Sequence, residues 1–472
     1  MLSRPILVAP LMLGLAPADL VSNIDDDHTE GPGAIPSPAQ FAPDATTQAV
    51  LALVEKTFPS LRVRNVILTG FSLLFYAWGE PIWVSLLVIS AVVDWANGLW
   101  IERSPRRWAR WGLGCSIVVN LGLLASFKYS DFIVRNVNLL TGLNFPEPGF
   151  LLPIGISFYT FQTLSYTIDV YRGEVAAQKR FGDFLLFVAS FHQLVAGPIV
   201  RYVHVAREIE HRVFDADDFA LGVVRFCKGL FKKVFFANIA GEVAQQFLNQ
   251  DAATLTVGGA WLGLLMFTLQ IYFDFSGYSD MAIGLGRMFG FHYHENFNHP
   301  YVARSVTDFW RRWHISMGQF FRDYVYIPMG GNRRHPTRNL FVVWGLTGLW
   351  HGASWNFVLW GLYFGVLLYV ERHVGAARLE RLPAWLRHGY ALLAVILGWA
   401  IFHFTDLDRL AAFLPVLVDL SGRPLVDFEV TWAVTSRALW LAAALVLCAP
   451  ISQPVYAAVE RRLGSSVHKA VL

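Results

Sequence analysis

The chain has 472 residues, 55% of them hydrophobic and only 15% charged, and its mean hydropathy is +0.43. Ordinary soluble domains carry roughly a quarter charged residues, so the composition excludes a string of soluble domains and points to an all-α polytopic membrane protein. The net charge of +3 sits in short basic loops between apolar runs, which fits positive-inside topology and gives no footprint for a nucleic-acid partner.

In chain order, residues 1–18 combine Arg4, an apolar run from Ile6 to Leu15 interrupted by Pro10, and Ala16-Pro17-Ala18. Two readings stand, a signal-like segment with a small-residue cleavage site or a degenerate first apolar segment, because a span needs about 20 apolar residues. Residues 19–60 contain the acidic, Pro/Gly-rich DDDHTEGPGAIPSPAQ and read as a polar linker, with a short surface helix expected from Ala49 to Phe58. A membrane domain is expected over 61–472. Its apolar segments are Val66 to Trp78, Ile82 to Ile101, Trp111 to Phe127, Phe150 to Tyr171, Phe181 to Val200, Val257 to Phe275, Leu340 to Trp350, Trp355 to Val370, Trp385 to Phe404 and Trp432 to Ala449. They predict about ten spanning or re-entrant helices.

ERSPRRWAR, from Glu102 to Arg110, is expected on the cytoplasmic side. The loops near Arg172, Arg201 and Arg225 are basic too, which strict alternation of full spans does not allow. Some segments therefore stop part-way, which a bilayer tolerates only where protein or a water-filled cavity satisfies the freed backbone groups. Ala220 to Phe247 mixes Arg225, Lys228, Lys232 and Lys233 with a broad apolar face and reads equally as an interfacial amphipathic helix or a cytoplasmic bundle helix. Asp274, Asp280 and Arg287 interrupt the next apolar run and are expected to pair and serve as scaffold.

Chemistry concentrates between Asp308 and Trp360, where six tryptophans accompany His314 in DFWRRWHIS and His351 in GLWHGASWN. The Gly-rich, basic PMGGNRRHPTR between them is unsuited to a bilayer core, so the two halves are expected to face each other across a turn. The nucleophile elbow, the P-loop and the dinucleotide fingerprint are absent, and Cys115, Cys227 and Cys448 stand singly without an activating base. What remains is a base without a protein nucleophile: a histidine that deprotonates an alcohol beside an activated acyl donor, with Gly352 and Ala353 leaving room for substrate. HYHENFNH lacks the helical H-E-x-x-H spacing, so no metal is expected, and His403 with Asp408 in HFTDLD is a chance-level pair.

The blocks SLLFYAWGEP, LPIGISFYTFQTLSYTIDVYRGE, LVAGPIVR, IYFDFSGYSDMAIGLG, ENFNHPY, SVTDFWRRWHIS, RDYVYIPMGGNR and GLWHGASWNFVLWG run in this order from about Arg62 to Val418. In them the chain resembles the membrane-bound O-acyltransferase superfamily, in its bacterial exopolysaccharide branch. The resemblance implies tilted and re-entrant helices around a transmembrane tunnel, with acetyl-CoA as cytoplasmic acyl donor and no metal. It also implies an exported polysaccharide such as alginate as acceptor, a periplasmic acetyltransferase partner and residence in the bacterial inner membrane. D-alanyl or peptidoglycan O-acyl transfer is the nearest alternative, and a proton-coupled transporter or a scaffold the more distant one. By the same resemblance His351 is the catalytic histidine and His314 orients substrate or polarises the donor carbonyl. Trp310, Arg311, Trp313, Trp350 and Asn356 line or brace the site. Departures are residues 19–60, His192 in SFHQLVAGP where proline is expected, and IFH at Ile401 to His403.

Overall fold

The computed structural model describes residues 57, 60–420 and 422–450, so the expectations for residues 1–18, for the linker and surface helix before Ser60 and for the last 22 positions fall outside it. The described residues are helical and irregular, with no strand. In order they form α1 (Leu61–Gly79), α2 (Val84–Arg103), α3 (Arg106–Leu124), α4 (Ser130–Thr141), α5 (Ile156–Arg172), α6 (Phe181–Ala189), α7 (Phe191–Leu194) and α8 (Tyr202–His211). Next come α9 (Ala216–Phe231), α10 (Asn238–Leu248), α11 (Val257–Met288), α12 (Val306–Arg312), α13 (Ile315–Phe321), α14 (Pro336–His351) and α15 (Trp355–Val370). The chain continues through α16 (Ala376–Glu380), α17 (Ala384–His403), α18 (Leu407–Val416), α19 (Phe428–Thr435) and α20 (Ala438–Leu447).

Four helical stretches are long and apolar enough to cross a membrane: α2, the run Arg106–Thr141, α11 and α17; a fifth arises if α19 and α20, bent by 64°, are one broken span. The remaining apolar segments are built as shorter helices. The run Phe181 to Val200, expected as one element, breaks at Ser190 into α6, the four-residue α7 and an irregular stretch. The run Trp111 to Phe127 instead extends through a π-helical turn, Ala125–Tyr129, into α4.

Lipid is as apolar as leucine, so close van der Waals packing and polar contacts hold such helices together more than removal of surface from water does. The α9–α11 crossing shows both. A Cβ on Gly222 would lie 2.7 Å from the Gly284 carbonyl oxygen, and one on Gly277 2.8 Å from that of Gly229, so glycine lets the backbones touch at two levels. That approach brings Arg225 and Lys232 onto Asp280, each at 2.6 Å, and Lys233 onto Asp274 at 2.5 Å. Arg287 pairs with Asp218 at 2.8 Å. The ionisable groups inside α11 thus pair with α9 and the turn that follows it, and α9 and α10 pack along α11.

Two apolar cores result. One joins α1 to α8, around Tyr166, Phe184 and Phe187; the other joins α10 to α20, around Phe273, Trp360 and Trp399. A third, small cluster of Phe161, Ile199, Met317, Phe320, Phe321 and Trp350 draws on α5, α13 and α14, bridging the two halves of the chain.

Candidate active site

Helix α12 begins where Ser305 accepts a hydrogen bond from the Asp308 amide at 2.9 Å, and the buried Glu371 carboxylate accepts the Val306 and Thr307 amides at 2.6 and 2.8 Å. A carboxylate at the free amides of a helix start is favourable and fixes the entry angle. After about two turns the chain leaves α12 at Trp313, and His314 takes a left-handed backbone conformation, φ 46° and ψ 54°. A side chain there costs on the order of 1–3 kcal/mol and persists only where its surroundings over-determine it.

Those surroundings are the fully buried Asn296. Its carbonyl accepts the Ile315 amide at 3.0 Å, and its side-chain Oδ1 accepts the Ser316 amide and hydroxyl at 3.2 and 2.9 Å. Its Nδ2 donates to Ser279 Oγ at 3.1 Å and to the Gly197 carbonyl. Donors on one side and a carbonyl on the other fix which end of the amide is oxygen. The contact of His314 Nδ1 with Asn296 Oδ1, 3.1 Å, is therefore one in which the imidazole N–H donates. In the neutral ring that leaves a lone pair on Nε2, which is buried and has no partner among the described residues.

His351 closes α14. The helix stops there because Gly352 is extended, φ −169°, and a Cβ at Gly352 would run into the Phe357 ring. The space the glycine leaves is thus filled by Phe357 and is not open to substrate, contrary to the sequence expectation; small residues at this turn serve the close approach of α14 and α15. The His351 ring sits among Trp350, Trp360 and Phe402, at centroid distances of 4.9, 4.9 and 5.3 Å, and its Nε2 is buried and without a partner among the described residues. His314 packs on Phe275 at 4.7 Å and on the other histidine's neighbour, Trp350, at 5.9 Å. Both imidazoles therefore meet one indole.

The turn between the halves folds as expected: the buried Asn339 donates to the Gly331 and Arg334 carbonyls at 3.0 and 2.7 Å, tying the basic linker to the start of α14. Across it Trp310 packs on Trp344, Phe364 and Trp360 at 4.8, 4.9 and 5.5 Å. Trp313, more deeply buried than Trp310, packs against Trp399 at 4.9 Å and Phe297 at 5.0 Å. Asn356 is fully buried and donates to the Ile401 and Phe402 carbonyls, both at 3.2 Å, so it braces the end of α17 behind His351. Arg311 is exposed and forms no hydrogen bond or ion pair with these residues. It is not brought to the histidines, while Arg312 beside it pairs with Asp308 at 2.8 Å.

Three positions near the site were not singled out in the sequence. Asn296 lies inside ENFNHPY, and only the fold shows which of its two asparagines meets His314. Lys128 and Tyr129 sit in the π-helical turn and donate to the Trp350 and Leu349 carbonyls, the latter at 2.7 Å. No local signal marks them. Among the remaining histidines, His292 lies between Glu208 and Asp218 at 2.8 and 2.9 Å. Partial burial opposes its charge, but the hydrogen bonds to the two carboxylates outweigh that and hold its pKa above the ordinary 6.5. His403 packs on Phe267 and Phe404. No group of three or more metal-ligating side chains occurs among the described residues.

Fold and site together define, over the described residues, an all-helical membrane protein with a pair of imidazole nitrogens at its aromatic centre that no described residue partners. Residues 178–412 match the membrane-bound O-acyltransferase family. A probable alginate O-acetylase AlgI from Azotobacter vinelandii is 44% identical over 364 residues, covering 74% of this chain and 71% of that protein. The probable alginate O-acetylase AlgI of Pseudomonas aeruginosa is 44% identical over 361 residues, 74% of this chain and 68% of its own. A peptidoglycan O-acetyltransferase from Helicobacter pylori is 35% identical over 388 residues, covering 74% and 73%. The chain belongs to the membrane-bound O-acyltransferase family and is an O-acyltransferase.

Proposed function

We propose that the protein moves an acetyl group from acetyl-CoA, entering from the cytoplasmic side of the bacterial inner membrane, to hydroxyls of an exported polysaccharide such as alginate. Delivery is direct or through a periplasmic acetyltransferase partner. The observation that carries the reading is the buried, unpartnered Nε2 of His351 at the end of α14, sharing the Trp350 indole with His314.

In this reading the acceptor hydroxyl gives its proton to His351 Nε2 as its oxygen attacks the thioester carbonyl; the ester C–O bond forms, the C–S bond breaks, and the proton passes from His351 to the departing thiolate. General-base assistance of this kind contributes typically about 10²- to 10⁴-fold. With its Nδ1–H held by Asn296, neutral His314 offers an acceptor and not a donor at Nε2. That supports orientation of the acceptor hydroxyl over polarisation of the donor carbonyl. Trp310, Trp313 and Trp350 form the walls, and Asn356 acts from behind.

Relatives acting on alginate and on peptidoglycan both support transfer to a glycan, and the higher identity of the former favours a polyuronate. The test is CoA release from acetyl-CoA by detergent-purified protein, with an oligouronate, with a soluble peptidoglycan fragment and without acceptor. Release stimulated by the oligouronate is expected. Stimulation by the peptidoglycan fragment alone moves the reading to peptidoglycan, and no acyl transfer to either, in protein that binds acetyl-CoA, contradicts a glycan acceptor.

A further inference from the structure

The run Arg106–Thr141 carries a lysine in a place where charge is costly. Lys128 lies in the π-helical turn Ala125–Tyr129, is part-buried, and has no carboxylate partner among the described residues. Unpaired ammonium groups at membrane depth are expensive and normally functional, and π-turns inside helices frequently mark functional positions. Its Nζ donates to Ser157 Oγ on α5 at 3.2 Å and to the carbonyl of Trp350. The ammonium also lies 5.8 Å from the Trp350 ring centroid. Next to it, the Tyr129 hydroxyl donates to the Leu349 carbonyl at 2.7 Å. Two turns on, Asn136 Oδ1 accepts the Trp355 indole N–H at 2.9 Å, so one helix face grips both sides of the turn that follows His351.

The carbonyls of Leu349 and Trp350 belong to the last turn of α14, whose final carbonyls have no intrahelical partner. A cation there is favoured by the helix dipole and satisfies one of these otherwise orphaned acceptors. The extra residue of the π-turn is what aims Lys128 and Tyr129, consecutive in sequence, at consecutive carbonyls. Because Trp350 separates the two histidines, the lysine holds the backbone and the ring of the residue that sets their spacing.

We infer that Lys128, with Tyr129, is a positioning residue of the acyl transfer, clamping the end of α14 so that the His351 imidazole and the Trp350 indole are held in register with His314. The inference rests on the reading of His351 as the base. A positioning residue acts on the chemical step, because displacing a catalytic group by about 1 Å costs on the order of 10²-fold in rate.

The test uses the purified full chain with acetyl-CoA and an oligouronate, comparing wild type, Lys128→Met, Lys128→Gln, Lys128→Arg, His351→Ala and the Lys128→Met/His351→Ala pair. Lys128→Met is expected to lower kcat by about 10- to 100-fold with KM for acetyl-CoA within about twofold and the thermal midpoint unchanged. Lys128→Gln, which keeps a donor, covers the case in which methionine prevents folding and falls between the two. Lys128→Arg restores most of the rate, and Lys128→Met adds no loss once His351 is alanine, as expected for residues acting as one unit. Wild-type kcat in both Lys128→Met and Lys128→Gln, a change in KM alone, or a loss fully additive with His351→Ala overturns the inference while leaving the base assignment intact. A wild-type rate in His351→Ala overturns the base assignment and the inference with it.

Discussion

Two buried polar clusters in this protein are built on opposite rules. Between α2, α3 and α5, the Asp94 carboxylate accepts the Ser116 hydroxyl at 2.5 Å and the Asn120 amide at 2.7 and 2.9 Å. Asn120 Oδ1 in turn accepts from Ser90 and Thr163, both at 3.1 Å, and Ser116 meets Thr167 at 2.9 Å. All six residues are buried and their side-chain groups are satisfied by one another. Around His314 and His351 the polar atoms are just as buried, yet His314 Nε2, His351 Nε2, the indole nitrogens of Trp310, Trp350 and Trp360, and Asn356 Oδ1 have no partner among the described residues. Native proteins satisfy nearly all buried polar atoms, so each exception needs its own explanation, and Gln162 and Arg212, away from the histidines, are exceptions too. A closed network specifies a helix register; an open one leaves buried donors and acceptors uncommitted, which is what the proposed site requires.

Substitutions that separate function from fold sharpen this contrast. The largest effect after His351 is expected at His314: His314→Ala lowers acyl transfer by roughly 10²-fold with an unchanged melting temperature, measured as CoA release beside thermal unfolding in detergent. A smaller effect of the opposite kind is expected at Asp94. Asp94→Ala leaves Asn120 and Ser116 without their acceptor, costs about 1–3 kcal/mol of stability, and leaves kcat of the folded fraction unchanged. An Asp94→Ala protein of normal stability and no activity breaks the comparison, because the closed network then belongs to the chemistry.

The smallest effect is electrostatic and lies outside both clusters. His292, between Glu208 and Asp218, has a folded-state pKa above its ordinary value of 6.5. A raised value means that its charge stabilises the fold fully at pH below that of the free side chain and that this is lost as pH rises through the folded value. Wild type is therefore expected to lose thermal midpoint relative to His292→Gln as pH is raised from 6 towards 9, and equal midpoints across the range remove the pair from the account. The side chain is half exposed, so solvent screens the effect.

Much of this architecture is legible in the sequence because apolar runs mark helices. Trp355 to Val370 folds as the helix read from it, and α2 and α17 differ from their segments by one or two residues at an end. Where the reading stops, the cause is long-range. Gly197-Pro198 tells that the run Phe181 to Val200 cannot stay helical to its end, but nothing local places its first break at Ser190, and the π-turn at Ala125–Tyr129 has no compositional mark. His314 and His351 stood out by their company of tryptophans. Asn296, Lys128 and the seat of Phe357 at Gly352 depend on partners 18, 222 and 5 residues away, and a helix face cannot be read until its neighbour is known. Arg311 shows the same limit from the other side, since its place in the motif does not tell which way a helix of seven residues turns it.

The central claim, that His351 supplies the base, is tested most directly by single-turnover transfer from acetyl-CoA in wild type and His351→Ala of equal monodispersity, which isolates chemistry from product release. The account predicts a fall of about 10² or more in the rate of ester formation with acetyl-CoA binding intact. An unchanged single-turnover rate in His351→Ala contradicts it and makes the open cluster at the end of α14 a structural feature.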